Sequence, residues 1–191
     1  VKCIVIACHT SSSVAGSYLK KKFSTIPIFD VVSPVLESLK ESKKKIGVIG
    51  TRATVNSGVY SKLNKVIQIP CPLFVPFIEE GEIKGKLIEA LVEKYIGNLK
   101  ADTLVLVCTH YPIIEGVIKK VLTDIEIVNP GVLVAKKLKN FLIKNNFTNN
   151  LIKVGKKDYY VTDLNERFIK VTEMFLGNKI GSEITKVTLT E

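Results

Sequence analysis

The chain is 191 residues long, 46% hydrophobic and 24% charged, an ordinary globular composition with length enough for one large or two small domains. With 28 basic against 18 acidic side chains it carries a formal charge of +10, yet it holds only four cysteines, two histidines and no tryptophan. Those totals exclude a disordered tail, a disulfide-stapled secreted domain and a collagen-like polymer, and the longest apolar runs, such as Leu104 to Cys108, are too short to span a bilayer.

Short β-branched runs alternate with longer amphipathic stretches, the pattern of βα repeats on a largely parallel sheet. Cys3 to Cys8 reads as a buried strand, with no basic-then-apolar leader before it in the sequence given. Thr10 to Ser13 offer N-caps for a helix through Val14 to Lys22. Ile28 to Val32 is a second strand, and Ser33-Pro34 opens a helix with proline in its first turn. Lys45 to Gly50 is a third strand, followed by a helix over Thr54 to Leu63 and an extended run from Lys65 to Pro70. Cys71-Pro72 and Glu79 fall in what reads as a loop. Ile83, Leu87, Leu91 and Tyr95, spaced by four, predict a long helix over Glu82 to Leu99. Thr103 to Cys108 is the most apolar strand. A helix over Pro112 to Leu122, a strand at Glu126 to Val128 and a helix over Val132 to Phe141 come next. Lys153 to Val161 reads as an extended, hairpin-like segment, Asn165 to Leu176 as a helix and Ile184 to Leu189 as a last strand.

The positive charge raises the question of nucleic acid, but only Arg52 and Arg167 are arginine, the side chain that clamps phosphate bidentately and reads guanine. The lysines scatter in short groups such as Lys20 to Lys22 and Lys43 to Lys45, at predicted helix ends and turns. A solvated lysine-rich surface therefore outweighs a nucleic-acid face.

More informative is an internal echo. Ile4 to Thr10 and Leu104 to His110 are each an apolar strand closed by a cysteine, then threonine and histidine in swapped order, then a helix start. Both histidines of the chain lie within two residues of these cysteines. In an open α/β sheet the carboxyl ends of strands, where helix N-termini converge, are where ligands bind. The free N–H groups and positive dipole end there stabilise a thiolate and bind a carboxylate. Two such units facing each other place two thiol bases across a carboxylate site. Taken singly, each cysteine reads as a small apolar filler. The adjacent Cys-His and Cys-x-His spacings do not suit zinc. Cys3 alternates away to the core, and Cys71 either lines the same cleft or packs there.

These residues resemble the cofactor-independent glutamate racemases of the aspartate/glutamate racemase family. Ala7-Cys8-His9-Thr10-Ser11-Ser12-Ser13-Val14-Ala15 is similar to the family's first cysteine motif and Cys108-Thr109-His110-Tyr111-Pro112 to its second. Gly50 to Tyr60 resembles its Gly-Thr block, Cys71 to Gly81 its Cys-Pro-Leu-Phe-Val-Pro segment, and Tyr160-Val161-Thr162-Asp163 with Arg167-Phe168 its C-terminal tail. The resemblance implies two pseudo-symmetric three-layer α/β/α domains with largely parallel sheets and the active site in the cleft between them. The first would take residues 1–32 and 129–191, the second 33–128. It implies L- and D-glutamate interconversion with no cofactor and no metal, one cysteine thiolate removing the α-proton and the opposite thiol returning one. Cys8, Cys108, His110 and Glu79 would be catalytic, with His110 and Glu79 on the side of Cys108. His9, Thr10, Thr51, Thr54, Thr109 and His110 would contact substrate. A cytoplasmic homodimer supplying D-glutamate for peptidoglycan, with neither membrane nor nucleic acid as partner, completes what it implies.

The sequence departs from the family in two places. His9 stands where the family has asparagine, which predicts weaker binding or a group titrating near physiological pH. The family's N-terminal Asp-Ser-Gly and Tyr-Gly motifs do not occur upstream of Cys8. The first domain is therefore expected to be incomplete and turnover severely reduced. The other reading is a catalytically silent relative that acts as a carboxylate-binding or interaction module.

Overall fold

A computed structural model of the chain describes residues 1–149, 155–177, 179–180 and 184–189. Two compact units emerge, Val1–Phe147 and Thr148–Glu191. In the first, β1 (Ile4–Ile6) pairs parallel with β2 (Ile28–Asp30) through α1 (His9–Lys22). The chain continues through α2 (Ser33–Leu39) into a four-stranded parallel sheet of β3 (Ile46–Gly50), β4 (Val66–Pro70), β5 (Thr103–Val107) and β6 (Glu126–Val128), in the order β4-β3-β5-β6. The helices crossing over this sheet are α3 (Arg52–Asn56), α4 (Phe74–Glu79), α5 (Lys86–Ile96) and α6 (Glu115–Val121), and α7 (Pro130–Lys144) follows β6. The second unit is a small βαβ of β7 (Tyr159–Val161), α8 (Glu166–Leu176) and β8 (Ile184–Lys186), its strands parallel. Every described pairing is parallel, so the α/β class expected from the alternating runs is what forms.

The central strands β3 and β5 are buried along their whole length, as continuous apolar runs covered on both faces must be. Val48, Val105 and Val107 pack with Val32 and Val35 from the α2 region and with Tyr60 and Leu63. Elsewhere Phe74 meets Tyr95 and Tyr111 edge-on, with ring centroids 5.3 and 5.2 Å apart. β3 and β5 approach closely at their carboxyl ends. A Cβ on Gly50 would stand 2.6 Å from Val107 Cγ2, so a side chain there would force the Val107 side chain to move.

Several expected elements are corrected. The first strand is three residues long and only partly buried, with Val5 exposed and Cys3 half-buried. α1 begins at His9, five residues early, because the Cys8 thiol caps it and the serine run lies inside the helix. The single helix expected over Thr54 to Leu63 breaks at Gly58, whose φ of +68° suits glycine, into α3 and a 3₁₀ turn at Val59–Lys62. The long helix over Glu82 to Leu99 is only Lys86–Ile96. Its buried stripe is Ile88, Leu91, Val92 and Ile96, while Leu87 is exposed. Glu79 ends α4, a helix the two prolines of its segment concealed. Pro112 to Leu122 divides into a 3₁₀ turn at Tyr111–Ile114 and α6. The described part of the hairpin-like segment, Tyr159–Val161, pairs parallel with β8; its 151–154 stretch lies outside the described residues.

Candidate active site

Cys8 and Cys108 occupy corresponding places, each just past the carboxyl end of a parallel strand. Cys8 is exposed and is the N-cap of α1, its sulfur accepting from the Ser11 N–H at 3.5 Å. A sulfur in that position sits at the N-terminal end of a 14-residue helix. Cys108 is 8% exposed. Burial pushes its thiol up to about 11, against hydrogen bonds from the His110 backbone and the Thr109 side chain that favour the thiolate. Negative charge on Cys8 and on Glu79 raises it further. The two thiols thus sense one another, and charging one opposes charging the other.

On the Cys108 side, His110 Nδ1 lies 3.8 Å from the Cys108 sulfur and its Nε2 3.1 Å from Glu79 Oε1. Thr109 Oγ1 is 3.4 Å from the same Nδ1. On the Cys8 side, three hydroxyls close a triangle: Thr10 to Thr51 at 3.0 Å, Thr10 to Thr54 at 3.1 Å and Thr51 to Thr54 at 3.1 Å. Thr51 is also the N-cap of α3, accepting from the Thr54 N–H at 3.2 Å. The triangle ties the first turn of α1 to α3 and so links the Cys8 loop to the segment after β3.

The structure therefore brings Cys108, His110, Thr109 and Glu79 into one cluster and Thr10, Thr51 and Thr54 into another beside Cys8. His9 differs. It is 4% exposed, with neither ring nitrogen reachable from solvent. Burial lowers its pKa to about 4, a neighbouring Asp30 charge opposing only weakly, so it does not titrate near physiological pH as its sequence position suggested. Two residues around it, Asp30 and Tyr60, were not singled out in the sequence as site residues. Asp30 carries an Asp-x-x-Ser spacing to Ser33 that signals a helix start, and Tyr60 closes the Gly-Thr block. Cys71 stays structural. It is fully buried, burial pushes its thiol up to about 12, and its carbonyl accepts from the Tyr111 hydroxyl at 2.9 Å. All four cysteines are free thiols, and no group of three or more metal-ligating side chains occurs among the described residues.

The family model for Asp/Glu/hydantoin racemases matches residues 1–138. The chain belongs to that family. A glutamate racemase of Aquifex aeolicus is 38% identical over 97% of this chain and 73% of its own length, and that of Aquifex pyrophilus is 42% identical over 93% and 70%. Among solved racemases, the glutamate racemase of Francisella tularensis in complex with D-glutamate superposes with a TM-score of 0.89 at 34% identity, covering 98% of this chain and 74% of that one. The Thermus thermophilus enzyme in complex with β-chloro-D-alanine gives 0.89 at 32% identity, covering 99% and 73%. Among the described residues of this racemase-family chain, no helix is long and apolar enough to cross a membrane.

Proposed function

We propose that this chain is a glutamate racemase working by two-base proton transfer between Cys8 and Cys108. The observation that carries the reading is the matched placement of the two thiols, each just past the carboxyl end of a parallel strand, with the Thr10, Thr51 and Thr54 hydroxyls beside Cys8 and His110 beside Cys108. In one direction the thiolate takes the α-proton: the Cα–H bond breaks, an S–H bond forms, and the electron pair passes into the substrate carboxylate. The opposite thiol then gives its proton to the other face of Cα and is left as the thiolate. Turnover in the reverse direction starts from that exchanged state.

Stabilising the carbanion needs donors aimed at the carboxylate. The α1 N-terminus with the hydroxyls of Thr10, Thr51 and Thr109 would supply them, and Thr54 would act through the triangle. His110, backed by Glu79, would exchange a proton with Cys108. His9 is left out of the contact set, since its ring nitrogens are sealed from solvent. The reading places residues 1–32 and 129–191 in one α/β domain with Cys8 and residues 33–128 in another with Cys108. It makes the protein a cytoplasmic homodimer that supplies D-glutamate for peptidoglycan without a cofactor.

The test is circular dichroism of L- or D-glutamate incubated with the chain, with Cys8→Ala and Cys108→Ala beside it. Turnover abolished in each variant is expected, and near-normal turnover in either would sink the two-base mechanism. D-glutamate binding by calorimetry with no racemisation would favour the carboxylate-binding module instead.

A further inference from the structure

His9 Nδ1, His9 Nε2 and the Tyr60 hydroxyl are buried polar atoms with no hydrogen-bond partner among the described residues. Buried polar groups in folded proteins are paired with protein or with ordered water almost without exception. The two rings adjoin, centroids 6.4 Å apart and planes inclined at 39°, without a direct hydrogen bond between them. Tyr60 is fully buried and His9 nearly so.

Asp30 is a charged group whose field acts on both. It is not available as their acceptor. Oδ1 accepts from the N–H groups of Val32 and Ser33 at 2.9 and 2.7 Å, and Oδ2 from Lys20 Nζ and the Ser33 hydroxyl at 2.5 and 2.7 Å. Those four bonds fill the lone pairs a carboxylate offers. Lys20 is in turn held by the same carboxylate. Asp30 and Lys20 therefore leave the polar atoms of His9 and Tyr60 unmatched, and a neutral imidazole and a phenol each offer a donor and an acceptor.

We propose that His9 and Tyr60 share a buried hydration site and that this bridge makes Tyr60 a positioning residue for Cys8. A water there accepts from the ring N–H or donates to the bare ring nitrogen, and hydrogen-bonds the phenol, which gives it two of the two to four polar partners an internal water takes. The bridge falls where it matters for the cap. His9 follows the Cys8 cap directly, and Thr10 beside it is tied to Thr51 and Thr54. Both residues after Cys8 are then fastened to the single segment from Thr51 to Tyr60, one through hydroxyls and one through water. The hydration site stands independently, whereas the positioning role rests on the racemase reading.

Water–protein NOE spectroscopy on the isotope-labelled full chain tests it, and only two histidines have to be resolved. Cross-peaks from a long-lived water to the ring protons of His9 and Tyr60 are expected. Tyr60→Phe should lose them, shift the imidazole ¹⁵N resonances of His9 and lower kcat about fivefold at unchanged KM, as befits one lost hydrogen bond. His9→Asn, which keeps a neutral donor and acceptor, should retain more turnover than His9→Leu. Absence of the cross-peaks in the unmodified chain overturns the site even if Tyr60→Phe fails to fold, and an unmoved His9 signal in Tyr60→Phe overturns the bridge. Cross-peaks intact in a chain that racemises nothing would support the site while removing both the racemase reading and the positioning role.

Discussion

Cys108 Sγ lies 3.8 Å from His110 Nδ1 while the other nitrogen of the same ring faces Glu79 at 3.1 Å. A carboxylate only accepts, so the ring proton of the neutral imidazole sits on Nε2 and the Nδ1 lone pair is turned to the thiol. In the proposed mechanism Glu79 would fix the tautomer in which His110 takes the Cys108 proton, against the burial that pushes that thiol up to about 11.

Glu79→Gln should lower kcat/KM by roughly tenfold to a hundredfold, at the low end of what a positioned acid–base group contributes. Because the two enantiomers are equal in free energy, the loss must be the same with L- and D-glutamate as substrate. His110→Ala should cost more than Glu79→Gln. Progress curves by circular dichroism from each enantiomer check both, and a Glu79→Gln enzyme at full activity would remove Glu79 from the mechanism.

The three thiols treated above differ in environment, which predicts an order of alkylation. Cys8 is exposed at a helix N-terminus, Cys108 is buried with its thiol up at about 11, and Cys71 is fully buried at about 12. Iodoacetamide at pH 8 followed by peptide mass spectrometry should find Cys8 modified first, Cys108 far more slowly and Cys71 only on unfolding. Modification of Cys108 ahead of Cys8 would contradict the burial described here.

The strand–cysteine units were legible because their signals are local: an apolar run, a terminal thiol and a helix start are adjacent in the chain. Strands β3, β5 and β6 came out within a residue of expectation for the same reason. What could not be read was settled by contacts distant in sequence. Serines 11–13 look like caps, yet the Cys8 sulfur takes that role once β1 ends at Ile6. Leu87 fits a four-residue spacing, but the face of α5 is chosen by what it packs on, which buries Ile88 and Val92 instead. His9 reads as a group that binds substrate weakly or titrates near physiological pH, whereas burial, beside the ring of Tyr60 51 residues on, lowers its pKa to about 4.

Thr54 has no solvent exposure and its hydroxyl meets two others at 3.1 Å. Thr54→Val keeps the shape but removes one corner of the triangle, leaving the Thr10 and Thr51 hydroxyls bonded to each other, at a cost of about 0.5–1.5 kcal/mol for the lost hydrogen bonding. Thr51→Ala removes the α3 cap as well, worth about 1 kcal/mol by itself. Chemical denaturation should place both variants below the unmodified chain. The Thr51→Ala, Thr54→Val double variant should lose less than the sum of the singles, because the same triangle is broken in each. Strict additivity would show that the hydroxyls act separately.

Acid should destabilise the chain well before its carboxylates are protonated. His9 has a folded pKa of about 4 against 6.5 for a free histidine. Between those values the unfolded chain binds a proton that the folded chain refuses, so unfolding free energy rises with pH across that window and falls as pH drops through it. The contribution is absent above about pH 7 and reaches roughly 3 kcal/mol of destabilisation by pH 4. Asp30, held below the usual carboxylate range by Lys20 and Ser33 although burial alone would raise it, loses its contribution only below the ordinary carboxylate pKa. Its effect is therefore separable from that of His9. Urea melts from pH 7 to 4.5 on the unmodified chain should show the slope, and His9→Gln, which cannot titrate, should flatten it. A slope unchanged in His9→Gln would assign the acid sensitivity to another group.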